Sequence, residues 1–287
     1  MEKTLLITGC SSGIGYDAAR GMRDRGWRVF ASCRKEEDCA RLRDEGFESP
    51  RIDYTDEASI RSGLAEVLKA TGGTLDALFN NGAYGLPAAS EDLPRDALRA
   101  IFETNVFGWH DLTRQVIPVM RRQGHGRIVH NSSILGLIPY EWRGAYSATK
   151  YAIEGLADVS RLELRSANID VVLIEPGPVT SEIRRNSVPH FEKWIDWQRS
   201  ARAADYLVLR SRLYSENPAK DSFELPPSAV TKVLARALEA RRPRARYTVT
   251  LPAFVASVGR RFLPARWVDG IILYVNRPRP ARPRRAA

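Results

Sequence analysis

Strand-length apolar runs alternate with helix-length amphipathic patterns along most of this chain. That alternation predicts an α/β fold, a doubly wound parallel sheet flanked by helices on both faces. Two further observations support it. The first apolar run ends in a glycine-rich turn, the place where such sheets bind ligands. The 287 residues, 44% of them hydrophobic, suffice for one large core.

Each element has its signal. "TLLIT" (4–8) is a buried strand, and 13–25 has helical spacing. "WRVFAS" (27–32) is a second strand and 36–45 a second helix. "FESPRID" (47–53) holds a short third strand, followed by a helix over 56–70. "LDALFNN" (75–81) is the fourth strand, with helices over 94–105 and 108–123. "GRIVHNSS" (126–133) is the fifth, before a long helix over 145–166. "IDVVLIEPG" (169–177) is the sixth, ending in Pro and Gly. A helix over 227–241 and a last strand, "RYTVTL" (246–251), complete the domain.

The net charge of +10 suits an anionic partner, but much of it sits in "EARRPRAR" and in the final "NRPRPARPRRAA". The tail, 276–287, is Pro/Arg-rich without apolar periodicity, and the composition predicts disorder there. It lacks interleaved aromatics, so no nucleic-acid partner is expected. Cys10, Cys33 and Cys39 show neither metal-ligand spacing nor a disulfide framework. No metal is expected, and a reducing, cytoplasmic location fits. No secretory signal and no membrane-spanning run are expected.

The chemistry sits at the strand ends. "TGCSSGIG" places Gly9, Gly13 and Gly15 on a strand-to-helix turn. Free N–H groups and the helix dipole there favour a pyrophosphate, and glycines let the backbone come close. Ser11 and Ser12 add hydroxyl donors, and Ile14 lies within the turn. This is a dinucleotide site of Rossmann type, with G-x-x-x-G-x-G spacing.

At this point the chain resembles the short-chain dehydrogenase/reductase family in its single-domain form, over roughly residues 3–251. "TGCSSGIG" matches that family's fingerprint in full. The layout, with "ASCRK" and "RPRARY", is similar to the branch of 17β-hydroxysteroid and retinol dehydrogenases. The second strand ends in Cys33, Arg34 and Lys35, with no carboxylate to repel a 2′-phosphate. NADP(H) is therefore expected over NAD(H), with Arg34 as its main contact and, by resemblance, Ser12 as a second; a solvated helix start is the alternative. The resemblance makes Asp53 an acceptor for the adenine amino group, although an N-cap or turn role suits it equally. It places Asn81 and Gly82 on the cofactor ribose, although Gly82 and Ala83 stand in reverse of the family's order.

"GAYSATK" sets Tyr146 four residues before Lys150, on one helix face. Thirteen residues upstream is Ser133, the family's Ser…Tyr-x-x-x-Lys spacing, and "ETNVFG" carries Asn105 at the family's asparagine. A tyrosine at its ordinary pKa of about 10 is a poor base at neutral pH. A neighbouring lysine cation is expected to lower that value. The resemblance makes Tyr146 the acid in reduction and base in oxidation. Lys150 then holds the nicotinamide ribose, Ser133 donates to the substrate oxygen, and Asn105 holds a water. Pro176, Gly177 and Thr180 of "EPGPVTSEI" would close over the nicotinamide, with Thr180 on its carboxamide.

Residues 181–226 form a helix-capable insertion, the expected substrate lid, with Phe191, Trp194, Trp197, Tyr206, Leu207 and Leu209. These side chains either contact a bulky lipophilic alcohol, ketone or aldehyde or pack the lid to the body. Tyr84, Leu86, Leu135, Tyr140 and Trp142 are candidates for the same pocket, and His190 for a donor within it. Residues 252–275 are apolar with interspersed arginines; packing on the domain, a subunit contact and peripheral membrane contact are all open to them. The family implies a homodimer or homotetramer. Rival readings are an epimerase or dehydratase, and a non-catalytic NADP(H)-binding sensor. The first favours a longer chain, and the second would not need Tyr146 and Lys150.

Overall fold

A computed structural model describes residues 2–215, 221 and 223–276, with the side chains of 275 and 276 left aside. The predicted tail from 277 onward, and 216–220 and 222 of the predicted lid, lie outside the described residues.

Six parallel strands form one sheet: β1 (Thr4–Ile7), β2 (Arg28–Ala31), β3 (Ala77–Asn80), β4 (Gly126–Asn131), β5 (Ile169–Glu175) and β6 (Arg246–Thr248). Their order is β2-β1-β3-β4-β5-β6, so the chain runs outward from β1 in both directions. The switch in direction lies between β1 and β3, where a crevice opens at the strand ends. Parallel strands are buried on both faces and alternate between them. Leu5, Ile7, Val29, Ala31, Phe79 and Val172 face one helix layer. That layer holds α1 (Gly13–Arg23), α2 (Glu36–Asp44) and α9 (Ser228–Glu239). Leu6, Phe30, Leu78, Ile128 and Leu173 face the other, with α3 (Glu57–Ala70), α5 (Gly108–Gln123) and α6 (Gly144–Glu163).

The expected third strand is corrected. Residues 47–53 run beside β2 but make only isolated bridges, Phe30 to Glu48 and Cys33 to Arg51. Pro50 stands between them, and without an N–H it cannot continue a ladder. The helices expected over 94–105 and 108–123 are joined, not separated. α4 (Arg95–Phe102) runs into a π-helical turn, Glu103–Phe107, that leads straight into α5. The last strand stops at Thr248, and Thr250 caps α10 (Leu251–Phe262) by accepting from the Ala253 N–H. α11 (Ala265–Asn276) follows. The insertion expected to form a lid, 181–226, contains α7 (Ile183–Trp194) and α8 (Ala203–Leu213).

Candidate active site

The glycine turn is built by exclusion. Gly9 and Gly13 have φ of +68° and +57°, a region costly for other residues. A Cβ on Gly15 would stand 2.2 Å from the Gly9 carbonyl oxygen, and one on Gly9 would stand 2.5 Å from Gly82 Cα. The second contact shows why Gly9 is glycine; at Gly82 a Cβ would meet only Tyr54 Cε2 at 3.3 Å and Gly9 at 3.4 Å, so the Gly82-Ala83 order has no structural explanation. Ser12 precedes α1, its side chain makes no capping bond, and no acidic residue occupies the first helical turn. Ile14 packs against the core beneath, and the Ser11 carbonyl accepts from Arg41 at 2.8 Å. The α1 N-terminus therefore offers its dipole to an anion without internal competition. This cradle, which a single added carbon would fill, fits a dinucleotide pyrophosphate.

Asn81 fastens the turn to β3. Its amide donates to the carbonyls of Thr8 and Gly9 at 3.1 and 3.3 Å. The Asn131 amide donates to Asn81 Oδ1 at 2.8 Å, and the Asn131 carbonyl accepts from Lys150 Nζ at 2.8 Å. A polar chain thus runs from the glycine turn to the predicted lysine. Trp109, fully buried, donates from its indole to the Gly82 carbonyl at 2.6 Å and lies 4.4 Å beneath Lys150 Nζ. Sequence reasoning missed Asn131 and Trp109. The position of Asn131 next to Ser132 and Ser133 on a strand end was the available signal.

Asn105 sits fully buried in the π-helical turn. Its amide donates to the Tyr84 carbonyl at 2.9 Å and its carbonyl accepts from the Tyr84 N–H at 3.1 Å. Its amide also reaches Thr149 Oγ1, at 3.3 Å, one residue before Lys150. Asn105 therefore ties the segment after β3 to α6.

Ser133, Tyr146 and Lys150 come together. The Ser133 hydroxyl acts on the Tyr146 phenol, favouring its ionised form, and accepts from the Leu135 N–H at 3.1 Å. Lys150 Nζ lies 5.4 Å from the centre of the Tyr146 ring. Burial pushes Tyr146 up to about 12, opposed by Ser133 and the Arg143 charge. Burial lowers Lys150 to about 7, opposed by Glu154. The Arg143 charge favours the Tyr146 phenolate. The lysine lies over the ring and donates to the Asn131 carbonyl.

Other predicted residues take defined places. Arg34 is exposed at the end of β2, and its charge reaches both Tyr84 and His190 across the crevice. Lys35 pairs instead with Glu37 at 2.9 Å. The Asp53 carboxylate accepts from the Thr55 N–H and hydroxyl, a turn role, while the N-cap of α3 is Asp56. The Pro176 carbonyl accepts from the Ile134 N–H at 2.7 Å, joining the segment after β5 to the Ser133 turn. Gly177 abuts Thr250, where a Cβ would stand 2.1 Å from Oγ1. The Thr180 hydroxyl donates to Glu224 at 2.6 Å.

The lid aromatics point inward. Phe191 and Tyr206 are buried, and Tyr206 accepts from the Ala89 N–H and meets Trp142 edge-on. They share a cluster with Tyr84, Leu86, Trp142, Trp194, Trp197, Leu209 and Tyr146 itself. His190 stacks on Tyr84 with ring centres 3.6 Å apart. Tyr140 and Leu207 are exposed. A cavity of ≈ 1130 Å³ lies elsewhere, between α9, β6 and α10, and none of the predicted site residues lines it.

A parallel sheet, a glycine cradle at its switch point and a Ser–Tyr–Lys group beside it define a nicotinamide-dependent oxidoreductase. The family model described as short chain dehydrogenase matches residues 3–191, and the chain belongs to that family. It is 36% identical over 272 residues to the uncharacterized oxidoreductase YbbO of Escherichia coli, covering 95% of this chain and 94% of that one. It is 30% identical to human retinol dehydrogenase 16, covering 98% and 90%. It is 28% identical to an NADPH-dependent 3-dehydrocapnine reductase of Ornithobacterium rhinotracheale, covering 93% and 94%. Among solved structures, a short-chain dehydrogenase/reductase from Burkholderia phymatum in complex with NAD aligns at TM-score 0.75 and 25% identity, over 97% of both chains.

Proposed function

We propose that the chain is an NADP(H)-dependent alcohol/carbonyl oxidoreductase for lipophilic alcohols, ketones or aldehydes. The observation that carries this is Tyr146, embedded in the aromatic cluster of 181–226 one helical turn before Lys150, with Ser133 acting on its phenol. When bound, the nicotinamide gives a hydride to the carbonyl carbon or takes it back. In reduction Tyr146 gives its phenol proton to the carbonyl oxygen, and in oxidation the phenolate takes it back. With its pKa at about 12, Tyr146 holds that proton at neutral pH. Ser133 donates to the oxygen as negative charge develops. Lys150 has one ammonium proton on the Asn131 carbonyl and two left for ribose hydroxyls. Arg34 supports the preference for a 2′-phosphate through its exposed guanidinium at the β2 end.

The outer face of α6 exposes Leu156, Val159 and Leu162, which supports a homodimer or homotetramer through the helix that carries Tyr146. On α10 and α11, Phe254, Val258, Phe262, Trp267 and Ile271 are exposed beside Arg260, Arg261 and Arg266, which supports peripheral contact with a lipid surface. No helix among the described residues is long and apolar enough to cross a membrane.

NADPH and NADH oxidation against a series of lipophilic ketones and aldehydes tests the assignment. The expected result is turnover with NADPH that falls about 10²–10⁴-fold in Tyr146→Phe, with NADPH binding retained. Equal turnover in the variant would overturn the role of Tyr146. NADPH binding with no turnover anywhere in the series would favour the sensor reading.

A further inference from the structure

We propose that Glu154 is a positioning residue for Lys150 and for the Ser133 turn, held by Arg246, and that Arg260 of α10 braces the same turn. The C-terminal segment is then part of the catalytic scaffold. This rests on the role proposed for Lys150 above.

Glu154 lies one helical turn after Lys150, on the same face of α6, and is 7% exposed. It also touches the turn that begins at Ser133. A Cβ on Gly136 would stand 2.9 Å from Ser132 Oγ and 3.3 Å from Glu154 Oε1, so the carboxylate occupies the room that glycine leaves. A buried carboxylate with no partner is costly. The partner is on β6. Arg246 Nη2 lies 3.2 Å from Glu154 Oε2 and 2.7 Å from Asp158 Oδ2, and Arg246 Nε lies 3.1 Å from Glu175 Oε1. One guanidinium thus gathers three carboxylates from α6 and β5. Arg161 shares Asp158 at 3.0 Å, and of the three carboxylates it is Glu154, one helical turn from Lys150, that acts on the lysine.

α10 reaches the same place. Arg260 Nη1 donates to the Gly136 carbonyl at 3.2 Å, and its guanidinium lies 4.8 Å from the centre of the Tyr151 ring. The Tyr151 hydroxyl in turn donates to the Leu137 carbonyl at 2.7 Å. The turn carrying Ser133 is therefore held by α6 on one side and α10 on the other.

The charges facing Lys150 are few. On its own helix Glu154 opposes the loss of its proton. From β4, His130 faces it and is itself lowered to about 4 by burial and then by Lys150, so it is neutral near pH 7. Facing Glu154 are Arg246, Asp158, Glu175 and Tyr151. Glu175 is pushed up to about 7, first by burial and then by Glu154.

NADPH titrations of the full chain between about pH 5.5 and 9, which span the Lys150 pKa of about 7, test the link to Glu154 without requiring a substrate. In Glu154→Gln, Lys150 loses its counter-charge, and the affinity for NADPH should begin to fall at lower pH than in the wild type. Arg246→Met removes the cation that keeps the Glu154 carboxyl ionised, so protonation of Glu154 should move the profile in the same direction, and the double variant should go no further than Glu154→Gln alone. Arg260→Met, at an exposed helical position, should lower kcat several-fold and leave NADPH binding intact. Superimposable NADPH profiles for wild type and Glu154→Gln would overturn the link to Lys150. An unchanged kcat in Arg260→Met would overturn the brace. Should Glu154→Gln not fold, Arg246→Met and Arg260→Met decide alone. Full turnover in Tyr146→Phe would instead sink the proposed function, a distinct result.

Discussion

A carbon added at Gly15 would strike the Gly9 carbonyl at 2.2 Å, whereas one added at Gly259 would meet only Leu263 Cδ1, at 3.6 Å. The two glycines stand at opposite ends of the chain and at opposite extremes of packing. The cofactor end is a set of backbone contacts with no slack, tied by the amides of Asn81 and Asn131. The C-terminal end rests on the domain through the buried Ala253 and Ala256 and the Arg260 bond to Gly136, and leaves much apolar surface outside. A single small substitution should therefore be ruinous at the first end and tolerated at the second.

Gly15→Val tests that difference at its widest. The variant should lose folded protein or cofactor binding outright, because backbone atoms cannot yield as a flexible side chain can. Gly259→Ala, within α10, should instead stabilise the chain by about 0.5–1 kcal/mol, the usual gain from removing a helix-interior glycine. Urea unfolding monitored by circular dichroism reads both.

The next largest effect concerns Lys150, which is 1% exposed. Its pKa, about 7 in the folded chain, is below the ordinary 10.5. Below pH 7 the lysine is charged in both the folded and unfolded states, and the full cost of burying the cation is present. Between pH 7 and about 10 the unfolded chain holds a proton that the folded chain has lost, so stability rises with pH across that window. Lys150→Met should accordingly raise the melting temperature most below pH 7, with an advantage that shrinks toward pH 10. Its activity should vanish throughout. A melting temperature lower than the wild type's at pH 6 would show that the lysine contributes more to the fold than its burial costs.

A smaller effect is expected at the rim of the crevice. Arg34→Glu places a carboxylate where a 2′-phosphate is proposed to lie. The NADPH-to-NADH ratio of kcat/KM should fall about 10- to 100-fold, or roughly 1.4–2.7 kcal/mol. An unchanged ratio would mean that selectivity is set elsewhere.

The same contrast explains what could be read from the sequence. The glycine turn could be read from its place between a strand and a helix, and the Tyr146–Lys150 pair from its helical spacing; Ser133 and Asn105 came from resemblance to the family, and the π-helical turn that carries Asn105 was not foreseen. Lys150's orientation was not, since the Asn131 carbonyl that receives it comes from a strand 19 residues away. Glu154, Arg246 and Arg260 were equally invisible. Their meeting depends on β6 and α10 returning across the sheet, and an arginine among many arginines carries no signal of its own. The expected strand over 47–53 failed for a local reason, Pro50, that single-residue propensity could have revealed. The helical character of 181–226 was legible, but not the burial of Phe191 and Tyr206, which share a cluster with Trp142 and Tyr84.

The smallest expected effect is at Phe262, which is 76% exposed at the end of α10. Exposed apolar side chains contribute little to folding, so Phe262→Ser should change stability by no more than about 0.5 kcal/mol. The same substitution removes apolar area from the face proposed to meet a lipid surface. Retention on anionic vesicles should fall while the unfolding midpoint stays in place. A clear loss of stability would mean that the C-terminal end is packed as closely as the glycine turn, and the contrast between the two ends would dissolve.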